Sequence, residues 1–272
     1  MNFEQSYSSD QQAFRIAVKS WLEHNAPKGL KVPNDRSALK QETQEIIKDF
    51  RRKLGERGWL APSWPKEYGG GGMSSAFETI IMEELERIQL PSMGDNTRWI
   101  PAMMVWGTDE QKHRYIPPAL LGETITWQTF NEPDSGSDIA SVKTFASLEG
   151  GNYHITGEKS FITGRFDPDY LWTLAVTDKE RPRRLNLGIF MIDARLPGIT
   201  IKTQRLLMGS ERRVYLEDVV IPADCLIGLP FQGWEIVQTI LESERGGYTA
   251  YGNDDETAMS IQRFLKEERE RS

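Results

Sequence analysis

Cysteine and histidine are scarce in this chain of 272 residues: Cys225 stands alone, and the only histidines are His24, His113 and His154. A single cysteine excludes an internal disulfide, a four-cysteine zinc site and a cysteine-ligated iron–sulfur cluster. Histidines so far apart in sequence argue against a histidine metal site, and no metal is expected. Cations are in deficit as well, 33 Lys and Arg against 40 Asp and Glu, for a formal charge of −7. A net anion repels phosphate backbones and anionic headgroups, so neither nucleic acid nor a membrane surface is the expected partner. No apolar run approaches the roughly 18 residues that a membrane span needs. The opening Met-Asn-Phe-Glu-Gln-Ser lacks the basic and apolar regions of a secretion signal. A soluble, cytoplasmic protein is the expectation these absences leave.

What is present is ordinary globular composition, 38% hydrophobic, 10% aromatic and 27% charged, enough for a sizeable core. From Asp10 to Leu121 the apolar residues follow a helical period. Phe14, Val18, Trp21 and Leu22 form one stripe, Ile46, Ile47, Phe50 and Leu54 a second, and Phe77, Ile80, Ile81, Leu85 and Ile88 a third. Gly55 and Gly58 close the second, and Pro91 ends the third. Thr108-Asp109-Glu110-Gln111 reads as a capping box that opens a further helix, which Pro117-Pro118 is expected to disrupt. The stretch from Ala61 to Gly72 is too rich in proline and glycine for a regular element.

Near residue 123 the period falls to two. Val142, Thr144, Ala146 and Leu148 alternate with polar neighbours before a Gly150-Gly151-Asn152 turn leads into Tyr153 and Ile155. Runs rich in β-formers follow at Tyr170–Thr177, Leu187–Ile192, Ile199–Leu206 and Val214–Ile221, which predicts a small antiparallel sheet or barrel. The helical period returns at Phe231. The expected fold class is therefore α+β: an N-terminal helical domain over 1–122, a middle β-domain over 123–229, and from 230 to 272 the start of a further helical domain.

Two segments of the β-region carry more than packing. The first runs Trp127-Gln128-Thr129-Phe130-Asn131-Glu132-Pro133-Asp134-Ser135-Gly136-Ser137-Asp138. Gly136 permits a turn whose N–H groups converge on an anion, with Ser137 adding a hydroxyl; the alternative is a plain turn in which Asp and Ser satisfy their own backbone. The second, Lys159-Ser160-Phe161-Ile162-Thr163-Gly164, is a strand end with an aromatic and a hydroxyl and reads alone as an ordinary buried strand.

Taken together, the two segments resemble the flavin signatures of the acyl-CoA dehydrogenase family, Thr/Ser-Glu-Pro-x-x-Gly-Ser-Asp followed by Lys-x-Trp/Phe-Ile-Thr. The likeness extends to Trp59–Gly72 with Glu83-Glu84-Leu85, to Gly107–Lys112, to Leu121-Gly122-Glu123, and to Phe231–Trp234 with Leu241–Arg245. It implies an FAD-dependent α,β-dehydrogenation of an acyl-CoA thioester. The implied cofactor contacts are Gln128, Phe130, Asn131, Gly136, Ser137, Phe161, Ile162 and Thr163. Phe130 and Asn131 would meet the isoalloxazine edge, Ser137 the pyrophosphate and the CoA, Phe161 the flavin face, and Thr163 the region of N5. Asn131 departs from the commoner Thr or Ser, and Gln128 from the aromatic of several medium-chain members.

The chemistry also needs a carboxylate to remove the α-proton. On a helical wheel Trp234, Val237, Leu241, Glu244 and Tyr248 share one arc, and desolvation among apolar neighbours would raise the pKa of Glu244 toward that of a base. Glu244 instead pairing with a Lys or Arg of a neighbouring element is the alternative from position alone. The resemblance places the family's alternative base at Glu244, with Glu242 and Arg245 near the CoA thioester arm. It implies as partners an acyl-CoA, an electron acceptor such as an electron-transfer flavoprotein, and further subunits in a homo- or hetero-oligomer. It covers roughly the first two-thirds of a family member. A non-catalytic or partner-dependent subunit, and a flavin-dependent oxidase of the same superfamily, are therefore alternative expectations. The apolar stripe on the last helix is expected to mark an interface unless the β-domain covers it.

Overall fold

The computed structural model describes residues 7–30, 39–88, 98–207 and 209–244. Five helices come first, α1 (Ser9–Asn25), α2 (Gln41–Gly55), α3 (Ser75–Arg87), α4 (Ile100–Trp106) and α5 (Asp109–Leu120). Eight strands follow: β1 (Thr126–Thr129), β2 (Phe145–Glu149), β3 (Asn152–Ile162), β4 (Tyr170–Val176), β5 (Leu187–Asp193), β6 (Ile199–Arg205), β7 (Ser210–Pro222) and β8 (Leu226–Ile227). Helix α6 (Gly233–Glu244) ends the described chain.

The three helical stripes meet. Val18 and Leu22 of α1, Phe50 and Leu54 of α2 and Ile81 of α3 pack with Trp59 into one cluster. Ile47 turns instead toward the β-strands, and Ile46 is exposed, so the buried face of α2 is narrower than its apolar pattern. The last turn of α2 passes close to the chain after α5. A Cβ at Gly55 would lie 2.3 Å from the Leu121 carbonyl oxygen, and one at Gly122 would lie 2.8 Å from the Arg51 carbonyl. Only glycine allows that approach.

The capping box at Thr108 and Gln111 forms as the sequence predicts. The expected break at Pro117-Pro118 does not occur; α5 continues to Leu120. Both prolines fall in its final turn, where only two backbone donors are lost. Tyr115, Ile116, Ala119 and Leu120 are buried around them, and that apolar burial offsets the missing bonds.

The strands form an eight-stranded sheet in the order β6-β7-β3-β2-β4-β5-β8, with β1 also on β4. It is not wholly antiparallel as expected. Both β1 and β2 run parallel to β4, pairing in turn along one edge, β1 opposite Tyr170–Thr173 and β2 opposite Val176. Parallel neighbours need a long connection, and the chain between β1 and β4 supplies it. Strand β3 extends unbroken from the Gly150-Gly151 turn to Ile162, and β7 starts at Ser210, earlier than its apolar run. Leu148, grouped with the buried alternation, is exposed.

Strand β4 is covered on both faces, which explains its continuous apolar run. Trp172 and Leu174 face a core shared with Ile100 and Met103 of α4 and with Ile236, Val237 and Ile240 of α6. Leu171 and Ala175 face a second core with Ile155, Phe190 and Val214. The α6 stripe is thus rotated from the predicted one. Gly233, Ile236, Val237 and Ile240 are buried, whereas Trp234 and Leu241 are only half-buried. The described part of the predicted stripe is not uncovered either: α4 and β5 pack against α6, and Trp234 and Leu241 lie partly buried against the core. Among the described residues no helix is long and apolar enough to cross a membrane.

Candidate flavin site

The two motif segments lie side by side. The Ser160 N–H donates to the Asn131 carbonyl at 2.9 Å. One residue earlier, the Lys159 ammonium donates to the Phe130 carbonyl at 3.2 Å and to Glu132 Oε1 at 2.8 Å. Glu132 in turn accepts the N–H groups of Lys143 at 2.6 Å and Thr144 at 2.9 Å. Both partners are buried, Lys159 completely.

The electrostatics follow from that burial. Removal from water pushes the Lys159 ammonium down to about 8, although Glu132 beside it works the other way. Burial pushes Glu132 up, but the Lys159 charge and the donors at 143 and 144 outweigh it and hold the carboxyl below its ordinary range. Both residues lie within the motif segments, and the sequence alone assigns neither a role. Opposite charges, Glu132 in one motif segment and Lys159 in the other, were the available signal, since a buried charge requires a partner.

Past Lys159 the strand changes hands. The pairing of β3 with β7 slips between Lys159 and Ile162, the signature of a bulge. Phe161 has φ +58°, a left-handed conformation costly for an aromatic residue. The extra residue reverses the in–out alternation, so Ile162 packs in the same core as Tyr153 and Ile155. Phe161 is left 49% exposed, with Thr163 exposed two residues on.

The remaining predicted contacts divide between surface and core. Gly136 and Ser137 are exposed, and a Cβ at Gly136 would meet nothing within 4 Å. The turn around them is held by Glu132–Ser135 backbone bonds and by the Ser135 and Ser141 hydroxyls, both donating to the Asp138 carbonyl. Much of the turn's polarity is therefore spent on its own backbone, and Gly136 does not use a positive φ. The Asp138 carboxylate pairs with Arg183. Phe130 is buried in the core between sheet and helices, and Asn131 is half-buried. Gln128 lies on β1 opposite Trp172. Its side-chain oxygen is buried without a hydrogen-bond partner, as is the Ser160 hydroxyl. The buried side chains of Phe130 and Ile162 leave only their backbones for an outward contact.

An outward aromatic face, neighbouring hydroxyls and two buried polar atoms without partners suit a planar heteroaromatic with polar edges, and in that respect the residues fit a flavin. On α6, Glu242 is exposed. Position 244 continues the spacing of Gly233, Val237 and Ile240, but the Glu244 side chain, Arg245 and Tyr248 lie outside the described residues. Among the described residues no group of three or more His, Cys, Asp or Glu could hold a metal. A cleft of about 400 Å³ is lined by Tyr7, Arg15, Glu83, Glu86 and Arg87 of the N-terminal helices, but its Arg15 is already paired with Glu83 and Glu84.

Family models, curated relatives and solved structures match most of the chain. Models of the acyl-CoA dehydrogenase N-terminal and middle domains match residues 8–123 and 128–219. The chain belongs to the acyl-CoA dehydrogenase family. Acyl-CoA dehydrogenase FadE29 of Mycobacterium tuberculosis is 30% identical over 217 residues, 78% of this chain and 56% of the relative. Mitochondrial isovaleryl-CoA dehydrogenase of Pongo abelii is 30% identical over 248 residues, 88% of this chain and 57% of the relative. Among solved structures, the Tcur3481-Tcur3483 steroid ACAD superposes with a TM-score of 0.71 at 27% identity, covering 89% of this chain and 63% of that one. The chain thus spans a little over half the length of these two curated relatives.

Proposed function

We propose that the chain works as an acyl-CoA dehydrogenase, removing the α-proton and β-hydride of an acyl-CoA thioester. FAD is its cofactor, and when bound it supplies the two-electron acceptor. The observation that carries this reading is the β3 bulge, which turns Phe161 outward beside Thr163 while Ser160 is fastened to Asn131. A left-handed, half-exposed phenylalanine is unfavourable in isolation, and stacking on a flavin face gives it a use. Gln128, Phe130, Asn131, Gly136, Ser137, Ile162 and Thr163 complete the cofactor set, the buried Phe130 and Ile162 through their backbones.

Glu244 is the base, and Glu242 and Arg245 attend the CoA arm together with Ser137. Two supports favour Glu244 over Glu242. Its position continues the spacing of the buried residues of α6, and a carboxylate on such a face would be desolvated and more basic, whereas Glu242 is exposed. The domain division at 122/123 and 229/230 belongs to the same proposal. So do an electron-transfer flavoprotein as acceptor and assembly with further subunits.

Anaerobic reduction of bound FAD by a panel of acyl-CoA thioesters tests the reading. Glu244→Gln slows reduction by at least about 10²-fold, the scale of a general base, and Glu242→Gln changes only affinity. Equal rates for parent and both variants place the base elsewhere. Steady consumption of oxygen without an added acceptor indicates an oxidase. A flavin that no acyl-CoA reduces indicates a non-catalytic subunit.

A further inference from the structure

We infer that Lys159 is a positioning residue, whose buried ammonium sets the distance between the two segments of the flavin site. The inference rests on the flavin reading above. Without Lys159, the backbone bond among the described residues that joins the segment carrying Phe130 and Asn131 to the bulge carrying Phe161 and Thr163 is the one from Ser160 N to Asn131 O. Lys159 adds two contacts from the adjacent position, to the Phe130 carbonyl and to Glu132. Glu132 is fixed from its other side by the Lys143 and Thr144 N–H groups, so the ammonium is held against an anchored acceptor.

The arrangement costs more than a structural link requires. A fully buried ammonium loses its hydration, and an apolar residue of similar volume would fill the space without that loss. What the ion pair adds is direction. Its hydrogen bonds are directional, whereas apolar packing allows sliding. The bulge begins immediately after Lys159, where a small shift would rotate the outward Phe161. Lys159 is itself completely buried, so it touches neither cofactor nor substrate and acts only through the segments it ties.

The test uses the full chain, with FAD alone as the probe. Lys159→Met removes the tie and leaves Glu132 without its counter-charge. The double variant with Glu132→Gln removes both charges and keeps the protein readable where the single variant does not fold. Positioning predicts that the double variant regains thermal stability close to that of the parent. It still binds FAD at least about tenfold more weakly, the loss expected for one charge-assisted hydrogen bond. Its Ser160 N–H also exchanges with solvent at least about tenfold faster. A merely structural pair predicts that FAD affinity returns together with stability, and that result overturns the inference, as does unchanged exchange at Ser160. If the parent itself binds no FAD, the flavin reading fails on its own. Faster Ser160 exchange in the double variant then still supports the tie, and unchanged exchange refutes it.

Discussion

Gln111 joins two parts of the molecule through one carboxamide. Its oxygen accepts the Thr108 N–H at 2.9 Å, closing the cap of α5, while its nitrogen donates to the Asp224 carbonyl at 2.7 Å and the Leu226 carbonyl at 2.8 Å. Three substitutions separate these functions. Thr108→Ala loses one capping bond and costs about 1 kcal/mol. Gln111→Ala loses three bonds at roughly 1 kcal/mol each, about 3 kcal/mol in all. Gln111→Glu is nearly isosteric and keeps the Thr108 contact, but it turns a carboxylate oxygen toward two carbonyls that have lost their donor. With repulsion added to the lost bonds the cost is about 3–5 kcal/mol at neutral pH. At roughly 2–4 °C per kcal/mol for a chain of this size, melting temperatures fall by about 2–4 °C for Thr108→Ala and about 6–12 °C for Gln111→Ala. The Glu variant carries a further signature. Its charged form is disfavoured on folding, so its folded pKa is raised, and the deficit shrinks as pH falls toward the unfolded carboxyl value of about 4.3. Thermal unfolding of the three variants from pH 7 down to pH 4 is the assay. A Glu variant no less stable than Thr108→Ala at pH 7, or one whose deficit ignores pH, refutes the reasoning.

Two other outcomes follow from the site. Because the Glu132 carboxyl is held below its ordinary range, its contribution to stability is present above the unfolded value of about 4.3 and is lost as pH falls through the lower folded value. Glu132→Gln therefore flattens this part of the acid limb in a urea-unfolding series, and an unchanged limb shows that Glu132 does not carry it. Phe161→Asn replaces an aromatic in a left-handed conformation by a residue that tolerates it, so the apo-protein is as stable as the parent or up to about 1 kcal/mol more so. FAD binding weakens at the same time. An FAD dissociation constant equal to that of the parent removes Phe161 from the cofactor site.

What could be read from sequence was mostly local. The Thr108–Gln111 box spans four residues and is complete in itself, whereas the partners of the Gln111 nitrogen lie 113 and 115 residues downstream, beyond any periodicity. The wheel drawn on α6 was rotated for a related reason. Gly233 fits against the Leu187–Gly188 backbone of β5, where a Cβ would come within 2.6 Å, and this contact, not the apolar count, selects the buried face. The segment holding Phe161 and Thr163 reads alone as an ordinary buried strand, because the bulge that exposes both residues leaves no mark in the apolar pattern. The Glu132–Lys159 tie joins two motifs that each read as complete, so neither alone revealed it. The parallel pairing of β1 and β2 with β4 was hidden because a strand buried on both faces has no alternation to orient it.

The glycines at 55 and 122 have a consequence for how the molecule can come apart. A hinge needs room for one body to rotate on another. Here the end of α2 and the turn after α5 meet main chain against main chain, with too little space for a single methyl group. All the residues in these contacts precede position 123, so what they lock is the exit of α5 against the end of α2. A side chain at either glycine would push the chain leaving α5 away from α2, and β1, which begins four residues after Gly122, would be carried with it.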